Sequence, residues 1–228
     1  LGMGAFLGVA QGSDQDPYMM IIRYNGGKKS EKPLAWVGKG VTFDTGGISI
    51  KPSRSMSEMK GDMGGAAAVL GALNAVKMIK PKQNILGIIP LVENMPSSKA
   101  QRPGDVVSAM NGKTIEIINT DAEGRLILAD ALCYAVKDGV KEIVDLATLT
   151  GACLVALGTE AIGLMGNDQL FIDRVKKIED KTGERLWQLP LYDEFLDYLK
   201  SSTADIMNCA EGRYGGTSTA GKFLEQFV

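Results

Sequence analysis

The stretch Thr114–Leu146, TIEIINTDAEGRLILADALCYAVKDGVKEIVDL, decides the fold. Its opening Thr114-Ile115-Glu116-Ile117-Ile118 is dominated by β-branched residues and predicts a strand. That strand runs straight into the polar Asn119-Thr120-Asp121-Ala122-Glu123-Gly124-Arg125, after which a helix is expected through about Val136, ending at Asp138-Gly139. Glu142–Leu146 then reads as another strand. The same alternation continues outward. Upstream, strands are expected at Tyr18–Tyr24 and Leu34–Val37, and a helix from about Met56 to Ile79, capped by Ser55 or Ser57 and stopped by Pro81. Asn84–Val92 is short and strongly apolar, as a central strand should be. Downstream, Ala161–Met165 reads as a strand, and Asp168–Lys181 and Tyr192–Lys200 as helices. The class is α/β: a three-layer domain with a central, largely parallel mixed sheet covered by helices on both faces. Such sheets bind ligands at the carboxyl ends of their strands.

Composition removes several functions. With 228 residues, 45% of them hydrophobic, the chain can build one sizeable core. Its 25 basic and 27 acidic residues leave a formal charge of −2, so no field favours nucleic acid or an anionic membrane. No apolar run approaches the roughly 18 residues of a membrane span. Cys133, Cys153 and Cys209 have no CxxC spacing, which points to three reduced core thiols and a cytoplasmic protein. Histidine is absent altogether. That excludes Ser-His-Asp triads, HExxH zinc sites and histidine bases together. Any metal must then rely chiefly on hard oxygen ligands.

Four polar clusters carry the chemistry. In Gly38-Lys39-Gly40-Val41-Thr42-Phe43-Asp44-Thr45-Gly46-Gly47, Lys39 emerges from an apolar strand, where it must either meet carboxylates or lose its proton and bind a metal as an amine. Lys51 follows in a loop closed by Pro52. Asp62 is flanked by Met59, Met63 and Gly64-Gly65-Ala66-Ala67-Ala68, small residues that allow tight helix packing; alternatively, Glu58 and Asp62 form a solvated acidic face. Asp121 and Glu123, two apart on an extended segment, would form a pincer. Arg125 opposes the helix dipole there, a mismatch that suggests anion binding. Each cluster alone is weak. Together, Asp44, Asp62, Asp121 and Glu123 would make a repulsive knot that divalent cations relieve, with Lys39, Lys51 and Arg125 completing the balance.

Asn119-Thr120-Asp121-Ala122-Glu123-Gly124-Arg125-Leu126 resembles the signature octapeptide of the leucyl aminopeptidases, the cytosol aminopeptidases of M17 type. Gly38–Gly47, Lys51, Met63-Gly64-Gly65-Ala66 and Ala147-Thr148-Leu149-Thr150-Gly151-Ala152 match in order and spacing, so the resemblance covers essentially the whole chain. It implies a two-metal peptide hydrolase that prefers leucine-like N-terminal residues. Lys39, Asp44, Asp62 and Glu123 would hold the tighter cation, and Asp44, Asp121 and Glu123 the more exchangeable one, with a shared water as nucleophile. The cations would be Zn²⁺ or Mn²⁺, with Mg²⁺ also compatible. Lys51 would stabilise the oxyanion, and Arg125 would anchor a bicarbonate proton shuttle. Met59, Asn119, Thr148, Leu149 and Gly151 would line the substrate site, although Met59 and Leu149 also read as plain core residues. The resemblance further implies a homo-hexamer, and a family N-terminal domain missing from a catalytic part (residues 1–228) that is itself incomplete at the C-terminus. A non-catalytic or DNA-binding relative that keeps the fold is the alternative; another two-metal hydrolase, such as a phosphatase, is disfavoured by the missing histidine.

Overall fold

The computed structural model describes residues 1–228 except Ser55. Its first helix, α1 (Gly4–Ala10), is not announced by the sequence pattern and has no capping side chain of its own. The carboxylate of the distant Asp130 accepts the Phe6 N–H at 2.8 Å instead, meeting a donor that the helix start leaves free. Strands β1 (Tyr18–Asn25), β2 (Leu34–Gly38) and β3 (Gly40–Asp44) follow, the last two separated by Lys39 alone.

The helix expected over Met56–Ile79 is broken. A 3-10 turn covers Met56–Gly61, and the α-helix proper, α2, runs Gly64–Ile79. Gly61, Gly64 and Gly65 are poor helix formers, and the break between the two pieces holds Asp62 and Met63. Ser57 lies inside the 3-10 turn and does not cap α2, whose cap position is Met63; Ser55 lies outside the described residues. Lys80, left-handed at φ 52°, and Pro81 end the helix as expected.

Strand β4 (Asn84–Asn94) is the centre of the main sheet. β1 lies antiparallel along one side of it, from Tyr18 opposite Leu91 to Asn25 opposite Asn84. On the other side β2 and then β3 run parallel to it, Leu34 opposite Ile85 and Asp44 opposite Asn94, and β7 (Glu142–Leu146) extends the sheet parallel to β2. Residues of β4 alternate between two cores. Ile85 and Ile89 pack with Ala66, Val69, Leu73 and Val76 of α2. Leu86 and Ile88 belong to the larger cluster with α1 and α3 (Gly124–Lys137), a helix buried along most of its length. Helices therefore cover both faces, and the expected three layers are present.

The smaller elements depart more from the sequence reading. Of Thr114–Ile118 only β6 (Thr114–Glu116) is strand, and it joins β5 (Val106–Ser108) and β10 (Ile206–Met207) in a separate sheet. Helix α4 (Gly151–Leu157) is capped by Thr150, whose hydroxyl accepts the Cys153 N–H. Strand β8 (Ile162–Leu164) pairs in parallel with β9 (Leu186–Gln188). Asp168–Lys181 divides into α5 (Gln169–Lys176) and α6 (Glu179–Thr182), Asp193–Leu199 is 3-10 rather than α, and α7 (Gly216–Glu225) closes the chain. Cys133 is buried as expected, whereas Cys153 and Cys209 are only half-buried. Among the described residues, no helix is long and apolar enough to cross a membrane.

Candidate metal centre

Lys39 occupies the kink between β2 and β3 and is 3% exposed. Its backbone is tied on both sides: the N–H donates to Leu146 of β7 and the carbonyl accepts from Ala66 of α2, each at 2.9 Å. Gly65 makes this approach possible, because a Cβ there would sit 1.9 Å from the Leu146 carbonyl oxygen. The side chain then crosses to α3. Nζ lies 2.8 Å from Asp62 Oδ2 and 2.8 Å from Glu123 Oε1, and donates to the Thr148 carbonyl at 2.9 Å. Of the two outcomes open to a lysine on this strand, it meets carboxylates. Burial opposes its charge, but Glu123 and Asp62 outweigh that and raise its pKa.

Asp44 ends β3 at 2% exposure. Its Oδ1 accepts from the Gly46 N–H at 2.9 Å and from Asn94 Nδ2 at 2.8 Å, while Oδ2 is 2.7 Å from Lys51 Nζ. The loop reaches Lys51 through Gly46 and Gly47, at φ 90° and 68°, a region that side chains disfavour. Lys51 Nζ also contacts Asp121 Oδ1 and so bridges two carboxylates. Burial would lower its pKa, yet hydrogen bonds to Asp121 and Asp44 raise it, keeping an ammonium ion at the rim of the site.

Asp121 and Glu123 converge by a different route from the extended pincer. Ala122 N–H donates to the Asn119 carbonyl, closing a turn, and Glu123 has already helical dihedrals as the cap residue of α3. Nevertheless Asp44, Asp121 and Glu123 each offer an oxygen within 4.8 Å of the others. Burial pushes the Glu123 carboxyl up to about 7; Lys39 pulls against this, and Asp44 and Asp62 add to it. Asp121 is raised as well, chiefly by burial, with Lys51 opposing. Asp62 completes the group: it is 8% exposed and its Oδ1 accepts from the Thr148 hydroxyl at 2.7 Å, which rules out the solvated acidic face.

This donor set fits divalent cations. Four carboxylates face two ammonium groups, a surplus of negative charge in a mostly buried space. Asp62 Oδ2 and Glu123 Oε1, although close to Lys39, receive no hydrogen bond of good geometry. Buried oxygens of this kind ordinarily have partners. Arg125, in the first turn of α3, is 7% exposed; its Nη1 donates to the Asn208 carbonyl at 2.9 Å and its Nε is unpartnered. Burial lowers its pKa.

The expected substrate residues are placed less uniformly. Thr148 joins the centre directly through Asp62 and Lys39. Asn119 is exposed and its Oδ1 accepts the Asp121 N–H at 2.8 Å. Met59 is half-buried on the 3-10 turn, Leu149 packs against the main core, and Gly151 is exposed at the start of α4.

Compared with known proteins, residues 1–228 match the cytosol aminopeptidase family, catalytic domain. The chain belongs to the cytosol aminopeptidase family. It is 52% identical over its whole length to a probable cytosol aminopeptidase of Alkaliphilus metalliredigens (strain QYMF), covering 45% of that protein. It is 58% identical, again over its whole length, to one from Rhodopseudomonas palustris (strain BisB18), covering 46% of it. The chain thus spans just under half the length of these relatives. Around this cluster, two residues escaped the sequence reading. Asn94 links Asp44 to the Thr120 carbonyl through one amide, at 2.8 and 3.0 Å; a polar residue at the carboxyl end of the central strand was a usable signal. Asn208, next to Arg125, had none.

Proposed function

We propose that the protein carrying this chain is a metal-dependent aminopeptidase that releases N-terminal, preferably leucine-like apolar, residues from peptides. The observation that supports this reading most is the convergence of Lys39, Asp44, Asp62, Asp121 and Glu123 in a member of the cytosol aminopeptidase family. These five residues would hold two divalent cations, Zn²⁺ or Mn²⁺, with Mg²⁺ also compatible. The cations supply polarisation of the scissile carbonyl and acidification of water. Lys39 can serve as a ligand only as a neutral amine, so its proton must leave when the cation arrives.

The chain's own groups account for the rest. Lys51 keeps its proton and places a fixed positive charge at the rim, suited to offsetting negative charge that grows on the carbonyl oxygen during attack. Arg125 has an unspent buried N–H for a small anion; bicarbonate there would supply proton transfer in a chain without histidine. Thr148, pinned between Lys39 and Asp62, fixes the start of a segment through Leu149 and Gly151 that, with Met59 and Asn119, lines the substrate site. On this reading residues 1–228 are the catalytic module of a cytoplasmic homo-hexamer.

A Leu-p-nitroanilide assay on the full-length protein tests this. After chelation, activity should vanish and return on titration with Mn²⁺ or Zn²⁺. In Lys51→Ala, metal uptake should persist while kcat falls by about 10²-fold or more. No metal-dependent hydrolysis, together with salt-sensitive DNA binding, would favour the non-catalytic alternative.

A further inference from the structure

We propose that Asn208 is a positioning residue for the metal centre: from a remote segment it holds the loop that carries Asp121 and Glu123, and the Arg125 side chain, in one fixed arrangement. This rests on the metal-centre reading above. Asn208 follows β10 and is fully buried. Its side-chain amide is used at both ends. Oδ1 accepts the Ile118 N–H at 2.8 Å and the Asn119 N–H at 3.3 Å, and Nδ2 donates to the Asn119 carbonyl at 2.7 Å. Nδ2 also lies 3.5 Å from the Ala122 carbonyl. Two N–H donors on one side and carbonyls on the other admit a single orientation of the amide.

The backbone of Asn208 is committed too. Its N–H donates to the Glu116 carbonyl at 2.8 Å, extending the β10–β6 pairing, and its carbonyl accepts from Arg125 Nη1 at 2.9 Å. A single residue therefore spans the loop from its strand end to its helix start. Besides the Lys51–Asp121 and Lys39–Glu123 pairs, the loop is held on the Asp44 side by Thr120, which bonds to Ser49 and Gly46, and by Asn94, which reaches the Thr120 carbonyl. Asn208 supplies the opposing hold, so that Asp121 and Glu123 are fixed from both directions. Partners of this kind ordinarily set metal affinity through the ligands they orient.

Asn84 provides an internal control. It is 9% exposed and clamps a turn by the same chemistry, accepting from Gly27 N–H at 3.0 Å and donating to the Lys28 and Glu31 carbonyls, at the opposite end of β4 from Asn94. The test measures Mn²⁺ affinity by calorimetry, and thermal unfolding without metal, for full-length wild type, Asn208→Ala, Asn208→Asp and Asn84→Ala. The Asp variant keeps shape and acceptor but turns an oxygen toward two carbonyls, and decides the matter if the Ala variant does not fold. Asn208 variants should bind Mn²⁺ about 10- to 100-fold more weakly. Asn84→Ala should lose stability but bind as wild type. Wild-type affinity in folded Asn208→Asp, or equal weakening in Asn84→Ala, overturns the assignment. If wild type itself binds no Mn²⁺, the centre is misread and this inference falls with it.

Discussion

Gly124 shows how closely single residues are specified around the centre. A Cβ at this position would lie 2.6 Å from Lys39 Cε and 2.8 Å from Nζ. Its φ is not positive, so no turn requires a glycine here; the need is space for the lysine. Gly124→Ala should leave the sheet intact, cost about 1–3 kcal/mol through overpacking, and displace Lys39 from Asp62 and Glu123. Urea unfolding combined with Mn²⁺ titration checks this: lower stability together with weakened binding is expected, and unchanged binding would place Lys39 outside the centre. At this scale the site was largely legible. A lysine between glycines on an apolar strand is costly unless it meets partners, and that cost is visible in the residues themselves; the DxE before α3 is weak alone and counts only beside the other clusters. Asn94 carried a usable signal, a polar residue at the carboxyl end of the central strand; the amide of Asn208 was not legible, because an asparagine costs little wherever it is exposed and only its burial reveals a role.

Between elements, the outer strand β1 is fastened to the end of α3 by Arg23 and Asp138, whose groups pair in a bidentate manner at 2.7 and 2.6 Å. The hydrogen bond to Arg23 is the main cause holding the Asp138 carboxyl below its ordinary range, with burial opposing. A depressed carboxyl pKa contributes stability that is present above its unfolded value and lost as pH falls through the folded value. Arg23→Ala should therefore cost about 1 kcal/mol or less near neutral pH, in keeping with a partly exposed pair. The difference from wild type should disappear in acid, as followed by urea unfolding across pH. A difference that is constant down to strong acid would mean that Arg23 acts through packing alone. Long periodic or apolar elements such as β4 and α3 could be read in advance. The helix over Met56–Ile79 could not be read as two pieces, because apolar spacing continues across Gly61–Gly65 while propensity does not. Helix α1 lacked a local start signal, since its acceptor, Asp130, comes from another helix.

Across the whole molecule, β2–β3, the 3-10 turn, the Asn119–Arg125 loop and the Thr148 segment meet only because the sheet and α3 bring them together. The layer class was legible from the alternation of strands and helices. The assignment of β6 to a separate sheet was not, because strand pairing is a long-range choice that local patterning does not encode. The surplus of buried carboxylates at the meeting point is the feature on which the proposed chemistry depends. Its most direct test is an anomalous diffraction map of Mn²⁺-loaded crystals of the full-length protein. Two manganese peaks per chain are expected, both within bonding distance of Asp44 and Glu123, one also near Lys39 and Asp62 and the other near Asp121. Manganese absent from this cluster, or bound only elsewhere, would contradict the metal centre.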